Sequence, residues 1–131
     1  MSGLCEGDVF LDTPDFNGHT TAVDSVWAGV PMITAATEKM VGRVASSILA
    51  SADLSVLIAR TRDEYAQLAR VMIDSRLRSR LRSKVVEARR TRLFDAERWV
   101  RGLEVGMRCA WESLVGMGMD EPRASHVLVA Q

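Results

Sequence analysis

Up to Ala59, short apolar runs alternate with one-face apolar stripes; beyond it, helical spacing takes over. Residues 8–12 (DVFLD) read as a short strand, ended by the turn-rich segment Thr13-Pro14-Asp15-Phe16-Asn17-Gly18. Near Thr20 a helix begins, with Val23, Val26, Trp27 and Val30 at one-face spacing, and Gly29 and Pro31 stop it. Met32-Ile33-Thr34 follows as a second strand. A second helix fits Lys39 to Ser51, with Met40, Val44, Ser47 and Ile48 along one side. Val56-Leu57-Ile58-Ala59 is a third apolar run, too short for a helix of its own. Thr61 and Glu64 then form a capping box ahead of the stripe Tyr65, Leu68, Ala69 and Met72. A further helix spans about 76–90, and a long one runs from about Asp95 to Val115.

Strands alternating with helices predict an α/β fold whose parallel sheet is covered on both faces. Three short strands make a thin sheet, however, and the first begins only at residue 8. The chain therefore reads as a partial Rossmann-like lobe, the second half of a doubly wound domain, followed by C-terminal helices. Residues 1–115 are grouped in that lobe, and 116–131, which show no period, are expected to form a flexible tail.

Composition narrows the function classes. The 17 basic and 17 acidic residues cancel, so no global field favours a nucleic acid or an anionic membrane as partner. Arginines and lysines gather at Arg76, Arg78, Arg80, Arg82, Lys84, Arg89, Arg90 and Arg92, but without interleaved aromatics they read as a solvated helix surface. Cys5 and Cys109 are too few and too far apart for a disulfide framework, which suggests reduced thiols. The start MSGLCEGD lacks a signal-peptide pattern, and no apolar run approaches the roughly 20 residues of a membrane helix. The expected setting is cytoplasmic or nuclear.

The segment that carries chemistry is LDTPDFNGHTTAVDSVWAGVPMIT, Leu11 to Thr34. It sets a strand, a glycine-containing turn and then His19-Thr20-Thr21 at a helix start. Ligands of open α/β sheets lie outside the carboxyl ends of the strands, where such turns sit. A helix N-terminus presents unpaired N–H groups and a partial positive charge, which attract phosphate. The two hydroxyls and the imidazole add donors. Asp24 lies four residues beyond Thr20, one turn along the same face. A carboxylate repels a diphosphate but suits the paired hydroxyls of a ribose, so the spacing is compatible with a nucleoside diphosphate. Equally, Thr21 and Asp24 have the spacing of a capping box that needs no ligand. Spacing alone leaves both readings open.

A resemblance tips the balance. NGHTTAVDSVWAGVPMIT resembles the signature of the protein O-GlcNAc transferase family, approximately LDT-x-x-x-NGHTT-x-x-D-x-LWAG-x-P-x-x-T. The likeness continues through Arg43-Val44-Ala45, Leu57-Ile58-Ala59, Glu64-Tyr65, Leu93-Phe94-Asp95, Glu104 and Trp111, over roughly residues 8 to 112. It implies the C-terminal part of a GT-B glycosyltransferase, which transfers N-acetylglucosamine from UDP-GlcNAc to serine or threonine of proteins, with inversion and without a metal ion or other cofactor. It places diphosphate binding on His19, Thr20 and Thr21, and ribose binding on Asp24. Implied partners are the UDP-sugar, protein acceptors, and an upstream lobe or partner chain.

The chain departs from the family pattern at four places. Ala36-Thr37 stands where relatives carry Pro-Gly, Gly42 where they carry Ser, Asp53 for a glycine and Val56 for an acidic residue. No catalytic residue is assigned, since the repeats, the N-terminal lobe and half of the C-terminal lobe are not recognisable here. The 131 residues alone are accordingly expected not to catalyse transfer. Two alternatives stand: a related protein O-fucosyltransferase using a GDP-sugar, and a non-catalytic remnant acting in protein–protein contact.

Overall fold

Three parallel strands lie side by side in chain order in the computed structural model, which describes residues 7–90 and 92–116. They are β1 (Phe10–Leu11), β2 (Met32–Ala35) and β3 (Ile58–Ala59). Phe10 pairs with Met32 and Leu11 with Ile33, while Thr34 pairs with Ile58 and Ala35 with Ala59. All four residues of β2 are buried, as a strand with partners on both edges and helices on both faces requires. The first strand is shorter than residues 8–12. Its ladder nevertheless extends past Leu11, because the Asp12 amide donates to the Ile33 carbonyl at 3.0 Å.

The first crossover helix, α1 (Thr20–Ala28), buries Ala22, Ser25 and Val26. It stops where Gly29 adopts φ 78°, so that the Gly29 and Val30 amides turn back to the Val26 and Ser25 carbonyls. A side chain at Gly29 is excluded twice over: the backbone is left-handed, and an added Cβ would lie 2.7 Å from Val86 Cγ2. The expected helix over Lys39–Ser51 divides in two. Met40–Gly42 is a 3₁₀ turn, and only α2 (Val44–Ser51) is α-helical. Its buried face is Ala45, Ile48 and Leu49, whereas Met40 and Ser47, placed on that face by the sequence pattern, are exposed. Of the expected stripe, Ile48 is buried and Val44 packs against the core, so packing on β2 shifted the buried face by about one position rather than replacing it.

After a 3₁₀ turn at Ser55–Leu57 and β3, α3 (Arg62–Val71) begins with the expected cap, as Thr61 Oγ1 accepts from the Glu64 amide at 3.1 Å. Its stripe of Tyr65, Leu68, Ala69 and Met72 packs on the core. Helix α4 (Ser75–Glu87) is capped by Asp74, which accepts from the Arg76 and Leu77 amides, and lies against α1. Several members of the arginine run are fastened. Arg78 pairs with Asp8 at 3.3 Å and donates to the Met72 carbonyl, Arg82 donates to the Gly7 carbonyl, and Arg89 lies 5.5 Å above the Trp27 ring. Trp27 is half exposed, with Phe94 edge-on at 5.1 Å.

One compact unit ends at Phe94 and a second begins at Asp95. The second unit is the helix α5 (Ala96–Gly116), started by Asp95 accepting from the Arg98 amide at 2.9 Å. Cys5 and the expected tail beyond Gly116 lie outside the described residues. No helix among the described residues is long and apolar enough to cross a membrane.

Candidate functional site

The loop between β1 and α1 is built around a buried carboxylate. Asp12 follows β1 on the same side as Phe10, and is 2% exposed. Its Oδ1 accepts from the Gly18 amide at 2.7 Å, and its Oδ2 from the Thr34 hydroxyl on β2 at 2.6 Å. The Tyr65 hydroxyl, from α3, donates to the Asp12 backbone carbonyl at 2.8 Å. Burial, and secondarily the Asp12 charge, raise the Tyr65 phenol above its ordinary pKa. No cation pairs with the Asp12 carboxylate among the described residues; hydrogen-bond donors alone offset its desolvation.

Asn17, 1% exposed, is the second anchor. Its amide nitrogen donates to the Thr13 carbonyl at 3.0 Å, and its side-chain oxygen accepts from the Ala45 amide at 3.2 Å. Arg43 supplies no side-chain cap to α2, so Asn17 caps that helix from 28 residues away. The Asn17 backbone amide donates to the Val41 carbonyl, and Thr13 Oγ1 to the Phe16 carbonyl. The loop is thereby tied to β2, α2, α3 and the turn before α2.

This framework holds the start of α1 open. His19 is the N-cap residue, with φ −93° and ψ −82°, and no side chain caps the helix. The proposed capping pair of Thr21 and Asp24 does not form: Thr21 is already inside the helix, and the amides of Thr20, Thr21 and Ala22 meet no acceptor among the described residues. Both threonines are exposed. The His19 Nε2 atom is buried without a hydrogen-bond partner among the described residues, and its ring stacks on Phe16 at 5.4 Å and 11°. Three unpaired amides at a helix start are an arrangement that an anion satisfies.

A cavity of about 590 Å³ opens at this point, lined by residues 10–13 and 16–21. The structure therefore brings His19, Thr20 and Thr21 together at one opening. Asp24, one turn further along α1, is partly buried and does not line it. Sequence reasoning missed Phe16, Asp12, Asn17, Thr34 and Tyr65. A polar residue ending an apolar strand is the only local signal Asp12 carries, and Phe16 stands three residues before His19 in a turn whose geometry spacing does not define. Among the described residues, no group of three or more His, Cys, Asp or Glu is placed to hold a metal ion.

Residues 5–103 match the glycosyl transferase family 41. The chain is 39% identical over 107 residues to a UDP-N-acetylglucosamine–peptide N-acetylglucosaminyltransferase of Caenorhabditis elegans, covering 80% of this chain and 9% of that protein. It is 43% identical over 100 residues to a probable enzyme of the same name from Arabidopsis thaliana, covering 74% of this chain and 10% of the relative. Among solved structures, a mutant of the Thermobaculum terrenum O-GlcNAc transferase superposes with a TM-score of 0.73 at 34% identity, over 79% of this chain and 20% of that one. The match places the sheet and its helices in the C-terminal region of a GT-B fold. The chain thus spans about a tenth of the length of these curated relatives.

Proposed function

Because this chain belongs to glycosyl transferase family 41, we propose that it supplies part of the UDP-sugar site of a protein O-GlcNAc transferase, which moves N-acetylglucosamine from UDP-GlcNAc to serine or threonine of protein acceptors. The observation that carries the reading is the uncapped start of α1, where free amides and two exposed hydroxyls stand at a cavity lined by His19, Thr20 and Thr21. In this reading the diphosphate sits on His19, Thr20 and Thr21. Four residues along a helix advance about 6 Å, so a ribose leading away from the phosphates reaches Asp24 beyond the cavity rim.

Chemically, these donors act on the leaving group. As the bond from the anomeric carbon to the β-phosphate oxygen breaks, negative charge grows on the diphosphate. Preorganised amides, hydroxyls and an imidazole stabilise that charge without a metal ion or other cofactor. None of these residues is assigned to the acceptor proton, so an upstream lobe or partner chain completes the centre, and the 131-residue segment alone does not turn over UDP-GlcNAc. The same reading sets the protein in the cytosol or nucleus, with neither nucleic acid nor membrane as partner.

Calorimetric titration of UDP into the polypeptide carrying these residues tests the site. A hydrogen bond to a charged group contributes about 1.5–3 kcal/mol, so His19→Ala or Thr20→Val weakens UDP binding roughly ten- to hundredfold. Unchanged affinity in both variants refutes the assignment. Tighter binding of GDP than of UDP would move the donor to the fucose class.

A further inference from the structure

The Asp12 carboxylate presents a contradiction if the cavity takes a diphosphate. It lines that cavity, carries a negative charge and has no cation beside it among the described residues. By Coulomb's law alone it opposes an anion, and more strongly in a partly buried site than in water. Burying it is also unfavourable for folding. A neutral side chain at position 12 would avoid both costs.

The hydrogen bonds show what the charge accomplishes. The two carboxylate oxygens divide their work: Oδ2 is held by Thr34 on β2, and Oδ1 holds the amide of Gly18, the residue before His19. A Cβ at Gly18 would make only ordinary contacts, with Phe10 Cζ at 3.4 Å and Asp12 Oδ1 at 3.5 Å, so it is the Gly18 amide, not its missing side chain, that Asp12 uses. The strand thus grips the backbone immediately before the helix start through one rigid side chain. A charged acceptor makes bonds roughly twice as strong as a neutral one.

We propose that Asp12 and Thr34 are positioning residues of the diphosphate site, the Thr34 hydroxyl aiming the Asp12 carboxylate so that it sets the Gly18–His19 turn and directs His19 and the first amides of α1 at the phosphates. This rests on the diphosphate reading above. Asp12 repels the ligand through its charge and recruits it through the geometry it imposes, and geometry dominates. The two influences have opposite signs on substitution, which makes the proposal testable. Asp12→Asn keeps the shape and removes the charge: relieved repulsion alone tightens diphosphate binding, whereas a relaxed turn weakens it.

The experiment measures UMP and UDP affinities for the polypeptide carrying these residues and for its Asp12→Asn, Thr34→Val and Thr34→Ser variants, with circular dichroism to establish folding. UMP shares the nucleoside but lacks the second phosphate. We expect Asp12→Asn and Thr34→Val to weaken UDP roughly tenfold and UMP by much less, as for one lost charge-assisted bond. Thr34→Ser, which retains the hydroxyl, keeps the parent ratio of the two affinities. A merely structural role lowers both affinities together and leaves that ratio unchanged, which overturns the proposal; so does tighter UDP binding by Asp12→Asn. Should Asp12→Asn fail to fold, Thr34→Val decides, since it keeps the carboxylate and removes only the hydroxyl that aims it. A parent that binds no UDP refutes the underlying site reading instead.

Discussion

Gly42 offers a direct test of how the turn before α2 is packed against the loop of the site. A Cβ added at Gly42 would fall 1.9 Å from Thr37 Oγ1 and 2.8 Å from the Pro14 carbonyl oxygen, both inside van der Waals contact. Thr37 Cβ would lie at 3.1 Å, and the Thr37 amide already donates to the Gly42 carbonyl at 2.9 Å. The Thr37 side chain and the Pro14 carbonyl together occupy the space that a side chain at position 42 would need. For Gly42→Ala, restriction of the unfolded chain contributes about 0.4–1 kcal/mol of stability. Overpacking costs about 1–3 kcal/mol, because Pro14 contributes backbone that cannot rotate away. The net expectation is a destabilisation of roughly 1–2 kcal/mol, seen as a lower urea midpoint at unchanged m-value. Adding Thr37→Gly removes the nearest overlap and leaves only the Pro14 contact. The double variant is thus expected to recover about 1 kcal/mol relative to the sum of the single changes. Additive effects, or a Gly42→Ala variant as stable as the parent, would refute this packing argument.

Asp53 occupies a left-handed position, φ 58°, after α2, where the Asp53 and Leu54 amides turn back to the Ala50 and Leu49 carbonyls. Asp53→Gly is expected to gain about 0.5–1 kcal/mol and Asp53→Ala to lose stability; an alanine variant as stable as the glycine one in thermal melts would contradict the strain. Tyr65 holds its proton more tightly when folded than unfolded, from burial first and the Asp12 charge second. Its contribution is therefore complete below pH about 10 and is lost as pH rises through the raised folded-state pKa. Urea midpoints measured from pH 8 to 11 should fall more steeply above pH 10 in the parent than in Tyr65→Phe, and parallel curves would exclude the linkage.

The sequence by itself determined the features that depend on near neighbours. The order of strands and helices, the Thr61–Glu64 cap and the stop at Gly29 all arise from periodicity or from hydrogen bonds a few residues apart. His19, Thr20 and Thr21 were legible for the same reason, since a helix start following a strand and a turn exposes its first amides whatever surrounds it. Only the tertiary structure decided which groups meet across the sheet. It sank Asp12 beneath the loop, joined it to Thr34 over 22 residues and to Tyr65 over 53, and set Asn17 on the N-terminus of α2. It also left Asp24 outside the cavity and broke the second helix at Arg43. Such pairings follow from strand register and from the closure of intervening loops. Neither quantity is written in local spacing, because one carboxylate at the end of an apolar run has the same local pattern whether it faces water or a buried hydroxyl.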